Sequence, residues 1–206
     1  SDDAVAKIER ASFALSEFLD SLLAGKSVAS VGLFPQHRDV LALTGAARVH
    51  PADLWMQPWR WLDARIGLPP QGLTPSPTVR GLLDQAVLRV VKTADRAASR
   101  DLCGVCLGLA AGAPRSKTGA YWKIAAAFFE AVAHGLVPQD VYAKRMASRV
   151  LLQYSTLAKG DPSIDERLAQ DLLFYCAQSA PPRPADTPVL SAVREAYGLT
   201  DQTSVD

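Results

Sequence analysis

From Tyr121 to His134 the sequence is apolar nearly all the way round a helix, with Trp122, Ile124, Ala125 to Ala127, Phe128, Phe129, Ala131, Val132 and Ala133. A helix without a polar face has to be enclosed by other elements. Its most apolar part, Ile124 to Ala133, carries Glu130 and lies between Lys123 and His134. Crossing a membrane takes about 20 apolar residues, so this stretch predicts a central core helix, and no membrane insertion is expected. Gly135 stands where a helix-ending glycine belongs.

The rest of the chain supplies helices to enclose it. Val5, Ile8, Ser12, Leu15, Leu19 and Leu22 recur at three- and four-residue steps, which predicts one amphipathic helix closed at Gly25. Leu33 to Leu43 is a shorter candidate, interrupted by Pro35 and closed by Gly45. Ser76-Pro77 reads as an N-cap and first helical residue, and Val79, Leu82, Leu83, Ala86, Val87, Val90 and Val91 follow as an apolar stripe. Further helices are expected from Arg96 to Ala111, from Pro138 to Lys159, after a capping box at Ser163 to Glu166, and from Thr187-Pro188 to Tyr197-Gly198. No run alternates in the manner of a strand. The expected fold class is all-α, an antiparallel helical bundle.

Prolines divide the chain. Pro69-Pro70, Pro75 and Pro77, with Gly72, mark 66–77 as a linker. The expected organisation is an N-terminal helical segment with a Trp-rich loop over 1–65, that linker, a bundle over 78–199 and a tail over 200–206. The chain opens on Ser1-Asp2-Asp3 and its first Met is Met56, so it reads as a segment cut from something longer. No signal-peptide pattern precedes Phe13. Three cysteines, an odd number in no framework, suit reduced thiols, and a cytoplasmic setting is expected. The formal net charge of +1, with both signs interspersed, gives no electrostatic reason to expect nucleic acid as partner.

Each constellation that bears on chemistry has a plainer structural reading. Cys103 and Cys106 form a C-x-x-C, but within a predicted helix between leucines. A redox pair of this kind usually follows a strand, and a zinc site needs two more ligands. Gly104, Gly108 and Gly112 lie four apart, at a cost of roughly 0.5–1 kcal/mol each against alanine, so close approach of a neighbouring helix is expected, with Trp122, Phe128 and Phe129 as the candidates. Ser116-Lys117-Thr118 lacks the frame of a phosphate loop. His37, His50 and His134 sit in no catalytic pattern, and the acidic residues read as solvated helix surface. No catalytic residue, cofactor or metal is expected. The candidate partner-binding residues are Trp55, Trp59 and Trp61, aromatics clustered beside a proline, together with Tyr142, Arg145 and Arg149. Arg145 and Arg149 are four apart on one helix face, where a solvated face is the plainer reading and docking of an acidic partner the other.

Several strings are more distinctive: Leu33-Phe34-Pro35-Gln36-His37-Arg38-Asp39, His50-Pro51-Ala52-Asp53-Leu54-Trp55, Trp122-Lys123-Ile124-Ala125-Ala126, Val141-Tyr142-Ala143-Lys144-Arg145-Met146-Ala147-Ser148-Arg149-Val150-Leu151-Leu152-Gln153-Tyr154, Leu168-Ala169-Gln170-Asp171-Leu172-Leu173-Phe174-Tyr175-Cys176 and Val193-Arg194-Glu195-Ala196-Tyr197-Gly198-Leu199. Together they resemble the N-terminal region of PilL/ChpA-type hybrid histidine kinases and the related FimL scaffold. The resemblance covers nearly the whole chain and is more specific after Pro69-Pro70 than before it. It implies a CheA-like chemosensory system for type IV pili and twitching motility, and helical bundles of histidine-phosphotransfer (Hpt) type, some degenerate. A competent Hpt helix presents an exposed His with Lys and Gly three and four positions later. Here the nearest echo, Leu41 to Arg48, has Leu in place of the His and Thr44 in place of the Lys. The resemblance therefore implies a degenerate Hpt-like segment that accepts no phosphate and is not itself an enzyme. Its implied role is to bind signalling proteins such as response regulators, polar scaffold proteins and neighbouring kinase domains. The alternatives are phosphotransfer through a non-standard His, with His37 the best-placed candidate, and a purely structural spacer.

Overall fold

In the computed structural model, which describes residues 2–26, 28–45, 49–55 and 57–199, the protein is all-helical, with no strand among the described residues. Five consecutive helices each start on a side chain the sequence provides. They are α3 (Pro77–Thr93), α4 (Arg96–Gly112), α5 (Lys117–Ala133), α6 (Val141–Ala158) and α7 (Glu166–Gln178). Ser76, Asp95, Ser116, Asp140 and Asp165 precede them, and each accepts a hydrogen bond from the backbone N–H three residues on. Before them come α1 (Asp2–Leu23) and α2 (Phe34–Leu43), and after them α8 (Pro188–Ala196); short 3-10 turns lie at Ser30–Leu33, Pro51–Leu54 and Pro184–Asp186.

Three expected helix starts are corrected. The central helix begins at Lys117, because Ser116 caps it through Gly119 N–H at 3.0 Å. Helix α6 begins at Val141 instead of Pro138, because the Asp140 carboxylate takes the Ala143 N–H at 2.8 Å. Helix α7 is capped by Asp165, which accepts from Leu168 N–H, while the Ser163 hydroxyl turns back to Asp161. A box centred on Ser163 therefore does not form. Ser163 and Asp165 are both good caps, and the carboxylate sits next to the first helical residue.

The described residues fall into two units, one ending at Pro58 and one beginning at Trp59. The first holds α1 packed on α2, joined by the turns at Ser30–Leu33 and Pro51–Leu54, where the Ser30 hydroxyl donates to the Leu54 carbonyl. None of its described residues is buried.

The second unit is built around α5, of whose 17 residues 13 are buried. Helices α4, α7 and α8 pack on α5, α3 packs on α4, and α6 lies on α3 and α7. Alanines 125, 126, 127 and 131 are fully buried and let these neighbours come close, while Tyr121, Trp122, Phe128 and Phe129 fill the space between them. Phe128 meets Tyr175 of α7 at 5.6 Å between ring centres, and Trp122 meets Tyr154 of α6 at 6.4 Å.

Residues 59–76 reach this core without helix or strand, and their backbone groups find partners singly. The Tyr197 hydroxyl accepts from Leu62 N–H at 3.0 Å and donates to the Leu62 carbonyl at 3.1 Å. The Tyr154 hydroxyl does the same for Ser76, at 3.1 Å each way. Lys123 donates to the Ala64 carbonyl at 2.9 Å and pairs with Asp63. Leu73 N–H donates to the Gly108 carbonyl at 2.8 Å.

This last contact corrects the reading of the glycine track. Leu73 lies against Gly108 and Gly112, so an extended segment, not a bulky helix, takes up the missing side chains. A Cβ at Gly108 would meet the Leu73 side chain, and one at Gly112 would run into the Leu73 carbonyl. One at Gly104 would meet nothing.

Candidate interaction site

Among the described residues the three cysteines, His37 and His50 are engaged in structure or turned away from solvent, while His134 stands exposed at a helix end. Cys103, Cys106 and Cys176 are reduced and buried. Burial pushes the Cys103 and Cys176 thiols up to about 12 and Cys106 well above the ordinary thiol value, which removes the thiolate that redox or nucleophilic chemistry requires. Among the described residues no group of three or more His, Cys, Asp or Glu gathers for a metal ion.

His50 caps a 3-10 turn: its Nδ1 accepts from Ala52 N–H, and its own N–H donates to Asp53. His134 is exposed at the C-terminal end of α5, where a cation suits the helix dipole. His37 lies in α2 with its Nε2 turned from solvent and 4.0 Å from the Asp53 carboxylate. A phosphoryl acceptor needs access and a neighbouring cation, and this nitrogen has a carboxylate beside it instead. Of the Leu41 to Arg48 echo, Ala46 to Arg48 lie outside the described residues, as does the tail 200–206.

The tryptophans are half-buried. Trp55 belongs to the unit that ends at Pro58, whereas Trp59 and Trp61 belong to the other. Trp59 packs edge-on against Trp61 at 4.9 Å and lies parallel to Tyr197 at 6.3 Å. Both indole N–H groups are shielded from solvent and have no hydrogen-bond partner among the described residues.

Helix α6 separates its residues by face. On the inner side Gln153 is buried, accepts from Asp165 N–H at 2.8 Å and donates to the Ser163 carbonyl at 2.9 Å, holding the start of α7. Arg149 pairs with Asp171 at 2.6 Å and with Asp165 at 3.7 Å. Arg167, one turn before Asp171, pairs with it at 2.9 Å. Asp171 is buried, and two guanidinium groups offset the removal of its charge from water. Tyr142 is half-buried on the flank. The outer side carries Val141, Arg145, Ser148 and Leu152, all exposed and spaced to form one line along the helix. Val141 is 52% and Leu152 67% exposed, a large apolar residue at each end with a guanidinium between them. Arg145 thus shares a face with two apolar side chains, while Arg149 is tied to Asp171.

The buried Asp171 and Arg194 and the half-buried Glu130 are not legible in the sequence, because each is explained by an element distant along the chain. Glu130 accepts from Leu190 N–H at 3.0 Å and so caps the start of α8. Burial raises its pKa, against the hydrogen bonds from Leu190 and Val189 that lower it. Arg194 is buried at the other end of the same arrangement. It donates to the Cys176 and Ala177 carbonyls at 2.7 and 2.8 Å, the cation closing the C-terminus of α7. Acidic residues scattered along polar helix faces are thus not all solvated surface, as Asp171 and Glu130 show. The one local signal was Arg167 four residues before Asp171.

Among the described residues no helix is long and apolar enough to cross a membrane. No curated protein and no solved structure matches the chain. A family model does: that of the FimL scaffold protein second domain, over residues 69–206, which takes in α3 to α8 and the arm from Pro69. The chain belongs to the FimL scaffold protein second-domain family.

Proposed function

We propose that this chain is a non-catalytic scaffolding segment, degenerate and Hpt-like, of a CheA-like hybrid histidine kinase of PilL/ChpA type. It serves a cytoplasmic chemosensory phosphorelay that controls type IV pili and twitching motility. Its partners are proteins of that pathway: response regulators, polar scaffold proteins or neighbouring kinase domains. The observation that carries the reading is the outer line of α6, where Val141, Arg145 and Leu152 stand exposed on one face and Leu152, at 67%, is more open than the exposed leucines of α3, Leu82 and Leu88. Membership of a scaffold family supports it, as does the absence of a usable thiolate and the carboxylate beside His37. The domain organisation we propose places this docking face in the 78–199 bundle, with 66–77 as its leading connector.

Two assays test the reading together. Incubation with an active CheA-like kinase core, labelled ATP and magnesium should leave the chain unlabelled while a competent Hpt domain is labelled in parallel. Titration with a receiver domain of the same pathway should show binding that Leu152→Glu weakens at least about tenfold, since the carboxylate would be carried into an apolar contact. Acid-labile label lost on His37→Gln would replace this reading with phosphotransfer. Binding indifferent to Leu152→Glu would move the docking face elsewhere.

A further inference from the structure

Residues 59–76 fall into two parts that the bundle holds differently. The part from Gly72 is fixed. A Cβ at Gly72 would strike the backbone of Ala111 and Gly112, Leu73 N–H is bonded to the Gly108 carbonyl, and the Tyr154 hydroxyl engages both backbone groups of Ser76. The part over 59–68 is a strap laid on the outside, joined to the first by the exposed Pro69, Pro70 and Gln71. From Leu62 it alternates as an extended chain on a surface does: Leu62, Ala64, Ile66 and Leu68 are buried or half-buried, while Asp63, Arg65 and Gly67 are exposed. Within 59–68 only Ala64 is fully buried, and its side chain is a single methyl group. Docking the strap therefore fixes a run of backbone for little burial. It also leaves the indole N–H groups of Trp59 and Trp61 shielded from solvent without a hydrogen-bond partner among the described residues. A segment held in this way opens locally while the core beneath it stays folded. The family match starts at residue 69, so it takes in the helices under the strap but not the strap.

We infer that the strap is a detachable internal ligand, and that the track it leaves beside α5 and α8 docks an extended segment of another protein built on the same pattern. The docked strap shows what fits. Tyr197, just past α8, serves both backbone groups of Leu62 through its hydroxyl, a contact that recognises main chain and tolerates any side chain. Lys123 of α5 recognises the next two positions. Its side chain is 12% exposed, and its ammonium donates to the Asp63 carboxylate and to the Ala64 carbonyl, both of them groups of the strap. With the strap gone this cation loses both acceptors, so an incoming segment has to bring a carboxylate. The occupant is therefore an extended peptide with an apolar residue, then Asp or Glu, then a small residue, and further apolar residues two and four positions beyond the small one. While docked, the strap excludes such a segment with the high effective concentration of a tethered ligand, so the track is closed until the strap lifts. It does not use the outer line of α6.

The test uses the whole 206-residue chain and, as probe, a fluorescent peptide with the sequence of residues 59–68. Hydrogen exchange in the parent chain should find the Leu62 amide at least about tenfold less protected than the Leu73 amide, because only the first is freed when the strap lifts. Ala64→Arg puts a long cation where one methyl group fits, and this chain should bind the probe at least about tenfold more tightly than the parent, whose own strap holds the track. Tyr197→Phe keeps the ring beside Trp59 and removes the Leu62 pin, so it should lower Leu62 protection and raise probe affinity with less disturbance of packing. Asn in place of Asp in the probe should weaken its binding to the Ala64→Arg chain roughly fivefold or more, and Lys123→Met in that chain should erase the difference. Circular dichroism should find the variants as helical as the parent. Equal protection at Leu62 and Leu73, or a probe bound no better by either strap variant than by the parent, would overturn the inference. So would a dimer of the parent that Ala64→Arg abolishes, since the track would then belong to the strap of a second copy.

Discussion

The two units are written in the same amphipathic language and reach opposite outcomes. In the unit from Trp59 onward, the expected stripe of α3 buries Val79, Leu83, Ala86, Val87 and Val90, while Leu82 at its edge stays exposed and Val91 is half-buried. In the unit before it, the stripe of α1 is as regular, yet all five of its large apolar side chains stay roughly half exposed. Periodicity therefore specifies a helix and the face that wants cover; it does not specify what covers it. The difference lies in what the surrounding sequence provides. Helix α5 is apolar on nearly every side and gives its neighbours a common surface, whereas α2 offers α1 one short side.

This contrast can be sharpened by substitution, starting where the effect is greatest. Phe129→Ala, at a fully buried site on α5, should cost about 3–5 kcal/mol of unfolding free energy, whereas Leu19→Ala on α1 should cost under about 1 kcal/mol. Urea denaturation followed by circular dichroism measures both, and equal costs would break the comparison. Next is the glycine track, where two neighbours should move stability in opposite directions. Gly112→Ala drives a methyl group into the Leu73 carbonyl and should destabilise by about 1–3 kcal/mol, while Gly104→Ala meets open space and should stabilise by roughly 0.5–1 kcal/mol. The same melts report both signs.

The smallest effect is a pH slope. Burial raises the Glu130 pKa above its value in the unfolded chain, so at intermediate pH the native state holds a proton that the unfolded state has released. Its contribution favours folding below the ordinary carboxylate range and is lost as pH rises through the raised value. Glu130→Gln keeps an acceptor for the Leu190 N–H and should remove that part of the slope, so that the variant gains on the parent as pH rises from 4 toward 7, by about 1 kcal/mol or less. Denaturation at several pH values reads it, and parallel curves for the two proteins would refute the assignment.

What could be read from the sequence followed its physical range. Ser76 with Pro77, the all-round apolar face of α5 and the helix-ending Gly135 and Gly198 act over a few residues, and each is found where the pattern put it. The choice of Asp165 over Ser163 as a cap was not legible, because both residues qualify within three positions and the winner depends on where Gln153 of α6 holds the α7 start. Nor was Leu73 as the occupant of the glycine track, since a proline-rich segment carries no periodicity to say what it lies against. Asp171 shows the same limit at the candidate site: Arg167 is visible one turn away, but Arg149, which closes the pair and is thereby removed from the docking face, comes from another helix.

The tyrosine pins carry a consequence for the order of events during synthesis. Tyr197 holds both backbone groups of Leu62, and these residues are 135 apart in the chain. The arm that begins the unit thus leaves the ribosome long before the residue that fastens it. At a typical 5–20 residues per second the delay is on the order of ten seconds, during which Trp59 waits without its stacking partner. Closing so long a loop is also a slow, late step in refolding of the isolated protein. The first part of the unit to be made is the last to be finished.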